Sequence, residues 1–261
     1  MTQKLQASAT ILVKNAQDTI EECLRSLACF DEIILLDNGS DDGTLEIARR
    51  FENVRIYQSE FIGFGALKNL AIGHAKHEWI LSIDSDEVLE PDTLREIQAL
   101  LSSPTLEPHH IFALPRKNLY QNEWIKACGW HPDFVWRLFN KTFTRFNDNL
   151  VHESIILPPN AKLTKLKSGI KHYAAPNMES IITKMNRYTT FSAQEKHKSG
   201  KRASMLGAIA RFWLTFFKDY LLRGGFRYGY KGFVIALLNA NGAFFRYAKL
   251  YELQSKKQER E

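Results

Sequence analysis

Two aspartates separated by one residue follow an apolar stretch near position 80. Residues 79–83 (WILSI) have the composition of a buried strand and lead directly into Asp84-Ser85-Asp86-Glu87. Two carboxylates at this spacing can face one hard cation, and Mg2+ or Mn2+ in proteins takes one or two carboxylates together with substrate phosphate oxygens. An Asp-rich turn at the end of a strand has the same composition. Taken alone, the segment leaves a divalent cation site and an ordinary turn both open.

A second acidic segment, which also contains glycine, follows another apolar stretch. It is Asp37-Asn38-Gly39-Ser40-Asp41-Asp42-Gly43-Thr44, directly after residues 32–36 (EIILL). Glycine lets a backbone approach a ligand closely, and Asp37 could accept a hydrogen bond from a nucleobase N–H or a ribose hydroxyl. Ser40 or Asp41 could equally cap a following helix. A ligand-binding loop and a simple helix start are both compatible with this segment.

The elements that position these two segments alternate between strand and helix patterns. We predict strands at 8–13, 32–36, 54–57 and 79–83, and helices from a capping box at Asp18 to about 27, from 41 to 51, from 66 to 75 and from Pro91 to 101. Repeated units of this kind predict an α/β fold with a mostly parallel, Rossmann-like sheet flanked by helices. Ligands bind such sheets beyond the carboxyl ends of the strands, where both acidic segments lie.

The C-terminal third of the chain is basic and aromatic. Residues 162–249 contain seventeen Lys and Arg against three acidic residues, whereas the first hundred residues have an excess of acids. A charge asymmetry of this kind indicates an anionic partner, which is either a membrane or nucleic acid. Residues 211–227 mix aromatic side chains with Lys and Arg as interfacial helices do, and the sequence shows no known nucleic-acid-binding motif. We therefore expect a membrane surface, and no nucleic acid, as partner of a helical C-terminal extension. An amphipathic helix that packs against the α/β part of the chain has the same pattern and stays an alternative.

Several segments together, in matching order and spacing, resemble glycosyltransferase family 2. They are residues 9–15 (ATILVKN), 37–44 (DNGSDDGT), 68–69 (KN) and 79–87 (WILSIDSDE). Later segments resemble the branch that adds glucose or a related sugar to heptose in the lipopolysaccharide inner core; they are 129–133 (GWHPD), 137–139 (RLF) and 151–153 (VHE). The resemblance extends over residues 8–175. It implies a GT-A type fold and transfer of a sugar, with inversion, from a nucleotide-sugar donor.

The resemblance also implies roles for individual residues. Asp37 corresponds to the acid that recognises the uracil of a UDP donor, and Asp84 and Asp86 correspond to a metal-binding pair. Asp86 is the expected direct ligand of Mg2+ or Mn2+, with Asp84 nearer the ribose. Other residues expected at the donor end of the site are Lys14, Asn15, Lys68 and Asn69.

An inverting transferase needs a base that removes the proton from the attacking hydroxyl. The two candidates are Glu153 and Asp133. Glu153 is favoured because its neighbour His152 could orient it, or could contact the metal and the diphosphate.

The resemblance and the composition together predict a division of function along the chain. By the resemblance, residues 1–115 are expected to bind the nucleotide sugar and residues 116–176 to form the acceptor and catalytic half of the GT-A domain. The basic and aromatic composition of residues 177–261 predicts that this region associates with a membrane. The implied acceptor is a lipid-anchored saccharide, core heptose, and the implied donor is UDP-glucose. The sequence has no apolar window of about twenty residues and no signal-peptide core at its start, so we expect a cytoplasmic protein on the cytoplasmic face of the inner membrane.

Three other functions fit parts of the sequence. The acceptor could be a polyprenyl-linked or capsule saccharide, and the chain could be a catalytically inactive scaffold on the membrane. Nucleotidyl transfer to a sugar phosphate also uses paired acids on an α/β sheet. That reaction would favour a glycine-rich loop after the first strand, whereas Lys14-Asn15-Ala16 contains no glycine.

Overall fold

The computed structural model of the chain describes residues 4–150, 153–175 and 177–258. Contacts between residues divide the chain into two compact units. The first consists of Met1–Lys117 and Asp133–Tyr173, and the second of Asn118–Pro132 and Ala174–Glu261. The functional partition into a donor half, an acceptor half and a membrane-associating region stays a prediction.

The first four strands pair in parallel within a ten-stranded sheet. They are β1 (Leu5–Val13), β2 (Phe30–Asp37), β3 (Val54–Gln58) and β4 (Trp79–Asp84), in the order β3-β2-β1-β4. Successive side chains of β2 enter apolar clusters on opposite faces, with Ile33 and Leu35 in one cluster and Ile34 and Leu36 in the other. A strand that is buried on both faces needs apolar residues at every position, which explains the uninterrupted run.

Four helices connect or follow these strands. They are α1 (Ile20–Ser26), α2 (Thr44–Ala48), α3 (Phe64–His74) and α4 (Pro91–Leu101). Pro91 opens the first turn of α4, as predicted, because that position needs no backbone N–H donor. The elements predicted for the first hundred residues are all present, with ends that differ by a few residues.

Both predicted helix caps are wrong. The N-cap residue of α1 is Thr19, and that of α2 is Gly43; neither helix has a side-chain cap hydrogen bond. The side chains of Ser40 and Asp41 instead contact Asn15, whose backbone N–H donates to Ser40 Oγ (3.0 Å) and whose Nδ2 donates to Asp41 Oδ1 (2.7 Å). Ser40 and Asp41 thus bond to Asn15 in another loop and do not cap α2.

Beyond β4 the sheet becomes mixed. The remaining strands are β5 (Glu87–Leu89), β6 (His110–Tyr120), β7 (Glu123–Trp124), β8 (Phe134–Asn140), β9 (Lys162–Lys165) and β10 (Ile170–Ala175). The sheet order continues β4-β8-β6-β10-β5, and β7 and β9 also pair with β6. Strand β8 is antiparallel to both of its neighbours. The predicted α/β class is confirmed, with parallel pairing concentrated in the part built from β1 to β4.

The second unit is mainly helical, as predicted for the C-terminal region. It contains α5 (Met178–Lys198), α6 (Met205–Phe217), a π-helical turn (Lys218–Leu222), a 3-10 turn (Gly225–Tyr228) and α7 (Gly229–Gln258). Helix α7 packs against α5 and α6. The core of this unit is formed by Tyr120, Ile125, Ala127, Cys128, Ile235 and Ala236. Within the described residues, every helix is too short or too polar to cross a bilayer.

Candidate active site

The carboxyl ends of three parallel strands meet at one edge of the sheet. In the strand register, Val13 at the end of β1 lies opposite Asp37 at the end of β2, and Leu12 lies opposite Asp84 at the end of β4. The two acidic segments are therefore brought to the same edge, where ligands of such sheets bind. This placement follows from the parallel pairing.

A cavity of about 580 Å3 opens beside the end of β2. Lys14, Asp37, Asn38 and Gly39 line one part of it, and residues 58–61 line the rest. This volume lies within the range of small-molecule sites. Two predicted donor residues, Lys14 and Asp37, thus share one cavity. Residues 58–61 were not among the predicted site residues, although their position at the carboxyl end of β3 was a usable signal.

Asp37 is buried and shapes the loop that follows it. Its carboxylate accepts hydrogen bonds from the backbone N–H groups of Gly39 (3.2 Å) and Ser40 (3.1 Å). Gly39 has φ +85°, a left-handed conformation that glycine adopts without strain. The loop is also tied to the strand β3 side, because the backbone N–H of Ser59 donates to the carbonyl oxygen of Asp37 (3.0 Å). Asp37 therefore has a fixed position in the lining of the cavity.

Asn15 joins two loops. Its side chain donates to Asp41 Oδ1, and its Oδ1 accepts from the backbone N–H of Asp41 (3.0 Å). The residue has φ 51° and so occupies the left-handed region, which asparagine tolerates better than most residues. These contacts brace the loops after β1 and β2. A direct role of Asn15 in donor binding stays a prediction.

Lys68 connects the strand-end acid to a candidate base. Its side chain is almost completely buried on α3, and Nζ lies 2.8 Å from Asp84 Oδ1 and 3.4 Å from Glu153 Oε1. The other carboxylate oxygen of Asp84 accepts from Arg137 on β8. Burial alone would raise the pKa of Asp84, but the charges of Arg137 and Lys68 outweigh it and hold that pKa well below its ordinary value. Asp84 is therefore ionised and held by two cations.

Glu87 is the buried acid next to the predicted pair. Its carboxylate accepts from Arg137 (2.8 Å) and from the backbone N–H of Asp84 (3.0 Å), and it lies 3.4 Å from Arg116. Burial would lower the pKa of Arg137, yet Asp84 and Glu87 raise it. Arg116 Nε in turn lies 2.8 Å from Asp133 Oδ2. Asp133 is thus linked to Asp84 through a chain of ion pairs in which acidic and basic side chains alternate.

Asp86 faces a histidine that the sequence analysis missed. Asp86 Oδ2 lies 3.6 Å from His172 Nε2, and its carbonyl oxygen accepts from the backbone N–H of Tyr173 (2.9 Å). The antiparallel pairing of β10 with β5 places His172 opposite Glu87. The third predicted metal residue, His152, lies outside the described residues. Among residues that the structure does describe, no three His, Cys, Asp or Glu side chains form a group that could hold a metal.

Asn69 holds the segment that leads to Glu153. Its Nδ2 donates to the carbonyl oxygen of Phe146 (3.0 Å), and its Oδ1 accepts from the backbone N–H of the same residue (2.9 Å). Phe146 forms an antiparallel bridge with Ile155, so both ends of the intervening loop are fixed. These contacts make Asn69 a support of the Glu153 loop, whereas its predicted contact with the donor stays a prediction.

The close packing of α3 against that loop requires a glycine. The backbone N–H of Gly65 donates to the carbonyl oxygen of Asn149 (3.2 Å). A Cβ atom at Gly65 would stand 1.9 Å from the carbonyl oxygen of Asn147, far inside contact distance. The start of α3 and the loop before Glu153 therefore touch through backbone atoms.

Comparison with known proteins identifies the family. The family described as "Glycosyl transferase family 2" matches residues 8–147, which is more than half of the chain. The chain belongs to glycosyltransferase family 2. The predicted family membership and GT-A type of fold are thereby confirmed.

Relatives of similar length carry related names. An "uncharacterized glycosyltransferase" of Rickettsia bellii (strain RML369-C) is 28% identical over 261 residues, covering 97% of this chain and 88% of the relative. The "lipopolysaccharide core biosynthesis glycosyltransferase LpsC" of Rhizobium meliloti (strain 1021) is 28% identical over 265 residues, covering 97% of this chain and 94% of the relative. Among solved structures, S. aureus TarS 1-349 in complex with UDP has 17% identity and a TM-score of 0.45, over 96% of this chain and 91% of that chain.

Proposed function

We propose that this family member is an inverting, divalent-cation-dependent transferase that moves a hexose from a UDP-sugar, UDP-glucose, to a lipid-anchored saccharide. The observation that carries the proposal is the contact of buried Lys68 with both Asp84 and Glu153 at the carboxyl edge of the parallel strands. The name of the Rhizobium meliloti relative supports the lipopolysaccharide core as the acceptor. Core heptose within it is supported by the resemblance of residues 129–133, 137–139 and 151–153 to the branch that acts on heptose.

The donor would occupy the cavity beside β2. Asp37 lines this cavity in a fixed orientation, which suits an acceptor of a hydrogen bond from the uracil ring. Lys14 is exposed on the same wall and could approach the ribose or diphosphate. The nucleotide half of the donor would then end near the strand that carries Asp84.

The residues after β4 fit a divalent cation. Mg2+ and Mn2+ in nucleotide sites take few protein ligands and complete their shell with phosphate oxygens and water, so two protein donors are enough. Asp86 and His172, whose side chains lie 3.6 Å apart, would hold the ion. Bound there, it would neutralise the charge that develops on the departing diphosphate. Asp84 already forms ion pairs with Lys68 and Arg137, so its proposed role is to orient these side chains and not to bind the ion.

Glu153 would act as the base. The acceptor hydroxyl gives its proton to the Glu153 carboxylate while its oxygen bonds to the anomeric carbon and the bond from that carbon to the diphosphate breaks. A single displacement of this kind inverts the anomeric configuration. Glu153 has a 3.4 Å contact with Lys68, longer than an ordinary hydrogen bond, whereas Asp133 is held at 2.8 Å by Arg116. Of the two carboxylates, that of Glu153 is therefore held less tightly by its neighbouring cation.

The second unit would attach the enzyme to the cytoplasmic face of the inner membrane. Its exposed apolar side chains include Trp213, Leu214, Phe217, Leu221 and Leu222, of which Leu222 is 84% exposed. Phe216, in contrast, packs onto the core of this unit. Exposed aromatic and aliphatic residues with nearby basic ones are typical of interfacial helices. Attachment would keep the enzyme where a lipid-anchored acceptor is concentrated.

A panel of nucleotide sugars tests the proposed donor. Thermal unfolding and donor hydrolysis would be measured for UDP-, GDP-, ADP- and CMP-sugars with Mn2+, with Mg2+ and with excess EDTA. We expect UDP-glucose with a divalent cation to give the largest stabilisation and the fastest hydrolysis. Equal results in EDTA would contradict the cation dependence, and a preference for a non-uridine donor would contradict the assignment of Asp37.

A further inference from the structure

The second unit contains a cavity of about 590 Å3 that both cationic and apolar side chains line. Its lining includes the cations of Lys126, Arg223 and Arg227 and the apolar side chains of Leu221 and Leu222. Of the described residues that line it, none is acidic. The residues proposed above for the donor, the cation and the base do not line this cavity.

Arg223 is held in place by a buried network. Asp219 is buried, and its Oδ1 lies 3.0 Å from Arg223 Nη1. The other oxygen of Asp219 accepts from Asn239 (2.8 Å), which also donates to the carbonyl oxygen of Cys128 (3.1 Å). The side chain of Arg223 is nevertheless 47% exposed. The guanidinium is thus oriented from one side and accessible from the other.

The backbone around the cavity leaves room for this guanidinium. Gly129 has φ +79°, and a Cβ atom there would stand 2.5 Å from Arg223 Nη1. The backbone N–H of Cys128 donates to the carbonyl oxygen of Arg223 (3.2 Å), which joins the two segments. Any larger residue at position 129 would displace the cation, so the local chain conformation and the position of Arg223 depend on each other.

Lys126 is held in place by two aromatic residues. Its backbone N–H donates to the hydroxyl of Tyr228 (3.1 Å), and its ammonium lies 4.0 Å from the ring centre of Trp124. A cation over an aromatic face keeps its remaining N–H groups available. Lys126 and Arg227 are both exposed, so their charges can reach a ligand.

We propose that this cavity binds the phosphate of an anionic lipid head group. A fixed arginine with two further cations suits a phosphate, which guanidinium groups bind through paired hydrogen bonds. Leu221 and Leu222, which are 52% and 84% exposed, would contact the glycerol and the first acyl carbons. The inference deepens the proposed membrane attachment and rests on it. The membrane attachment would then depend on one defined lipid-binding site and not only on a general electrostatic attraction to the membrane surface.

Binding of a monomeric lipid tests the site without surface-charge effects. Dihexanoyl phosphatidylglycerol, below its micelle concentration, would be titrated into wild type, Lys126→Gln/Arg227→Gln and Lys201→Gln/Arg202→Gln. The last variant loses the same charge at exposed residues away from the cavity. We expect the cavity variant to bind at least about tenfold more weakly, as loss of charged hydrogen bonds implies, and the control to differ by less than about twofold. Equal weakening in both variants would overturn the site.

Two further arms identify the source of the phosphate. Glycerol phosphate should bind more weakly than the short-chain lipid, and Leu222→Ser should weaken the lipid alone. If glycerol phosphate binds as tightly as the lipid, the ligand is a soluble phosphate and the lipid assignment is wrong. Co-sedimentation with phosphatidylglycerol vesicles separates the two levels of the proposal. Wild type that does not sediment overturns membrane attachment itself, whereas a cavity variant with unchanged lipid affinity overturns only the site.

Discussion

Replacement of Asn69 by alanine distinguishes a support of the catalytic loop from a contact with the donor. The side chain of Asn69 makes two hydrogen bonds to the backbone of Phe146 and also interacts with the carboxylate of Asp148. Phe146 is only 2% exposed, so water cannot readily replace the lost partners. Asn69→Ala should therefore release the segment that leads to Glu153 and leave the cavity beside Asp37 unchanged.

The size of the effect follows from these contacts. Each hydrogen bond contributes about 1 kcal/mol net, so we expect Asn69→Ala to lower the free energy of unfolding by about 2 kcal/mol. Buried groups left without partners could increase the cost to about 4 kcal/mol. Displacement of Glu153 by even about 1 Å would lower turnover by up to about a hundredfold. The affinity for UDP should stay within about twofold of wild type, a change of about 0.4 kcal/mol, because Asn69 is not among the residues that line the cavity beside Asp37.

Three measurements on two variants decide this prediction. Urea unfolding gives the stability, calorimetry gives the UDP affinity, and donor hydrolysis gives the turnover. The control is Asn53→Ala, because Asn53 Nδ2 makes a similar bond to the carbonyl oxygen of Phe30 (2.9 Å) away from the cluster. The control should lose stability and keep its turnover. If Asn69→Ala weakens UDP binding while stability is unchanged, Asn69 contacts the donor and the support role is refuted.

Three other predictions address the same site. Asp37→Ala should weaken UDP binding measured by calorimetry, and an unchanged affinity would remove Asp37 from the donor site. Asp86→Asn should abolish the stimulation of donor hydrolysis by Mn2+, whereas a full response to Mn2+ in this variant would exclude Asp86 as a ligand. Because the pKa of Asp84 is lowered in the fold, its ion pairs stabilise the protein above the ordinary value of 3.8 and are lost at lower pH. The difference in unfolding free energy between wild type and Asp84→Asn should therefore be constant above about pH 5 and narrow below 3.8, and a difference that grows on acidification would contradict this sign.

The parallel half of the fold could be predicted because its signals are local. Uninterrupted apolar runs give strands buried on both faces, and the acids at their ends are brought to one edge by parallel pairing. This reasoning located Asp37 and Asp84 correctly at the sheet edge. The same reasoning applies to residues 58–61, which were not predicted as site residues.

Partners from distant strands could not be predicted in the same way. Glu87 lies beside the recognised pair, but its charged partners are Arg137 from β8 and Arg116 from β6. His172 reaches Asp86 only because β10 pairs with β5. The predicted cap of α2 failed for the same reason, since Asn15 from another loop bonds to Ser40 and Asp41. Antiparallel pairings and contacts between loops carry little periodic signal along the chain.

The anomeric configuration of the transfer product tests the central claim most directly. Wild type would be incubated with UDP-glucose, Mn2+ and a deacylated, heptose-containing core saccharide, and the new linkage would be determined by NMR. The α-linked donor should yield a β-linked product, and Glu153→Gln should form it about 100- to 10,000-fold more slowly with UDP affinity little changed. An α-linked product would contradict the inverting displacement. If Asp133→Asn shows this loss and Glu153→Gln transfers at the wild-type rate, the base is Asp133 and the assignment of Glu153 is wrong.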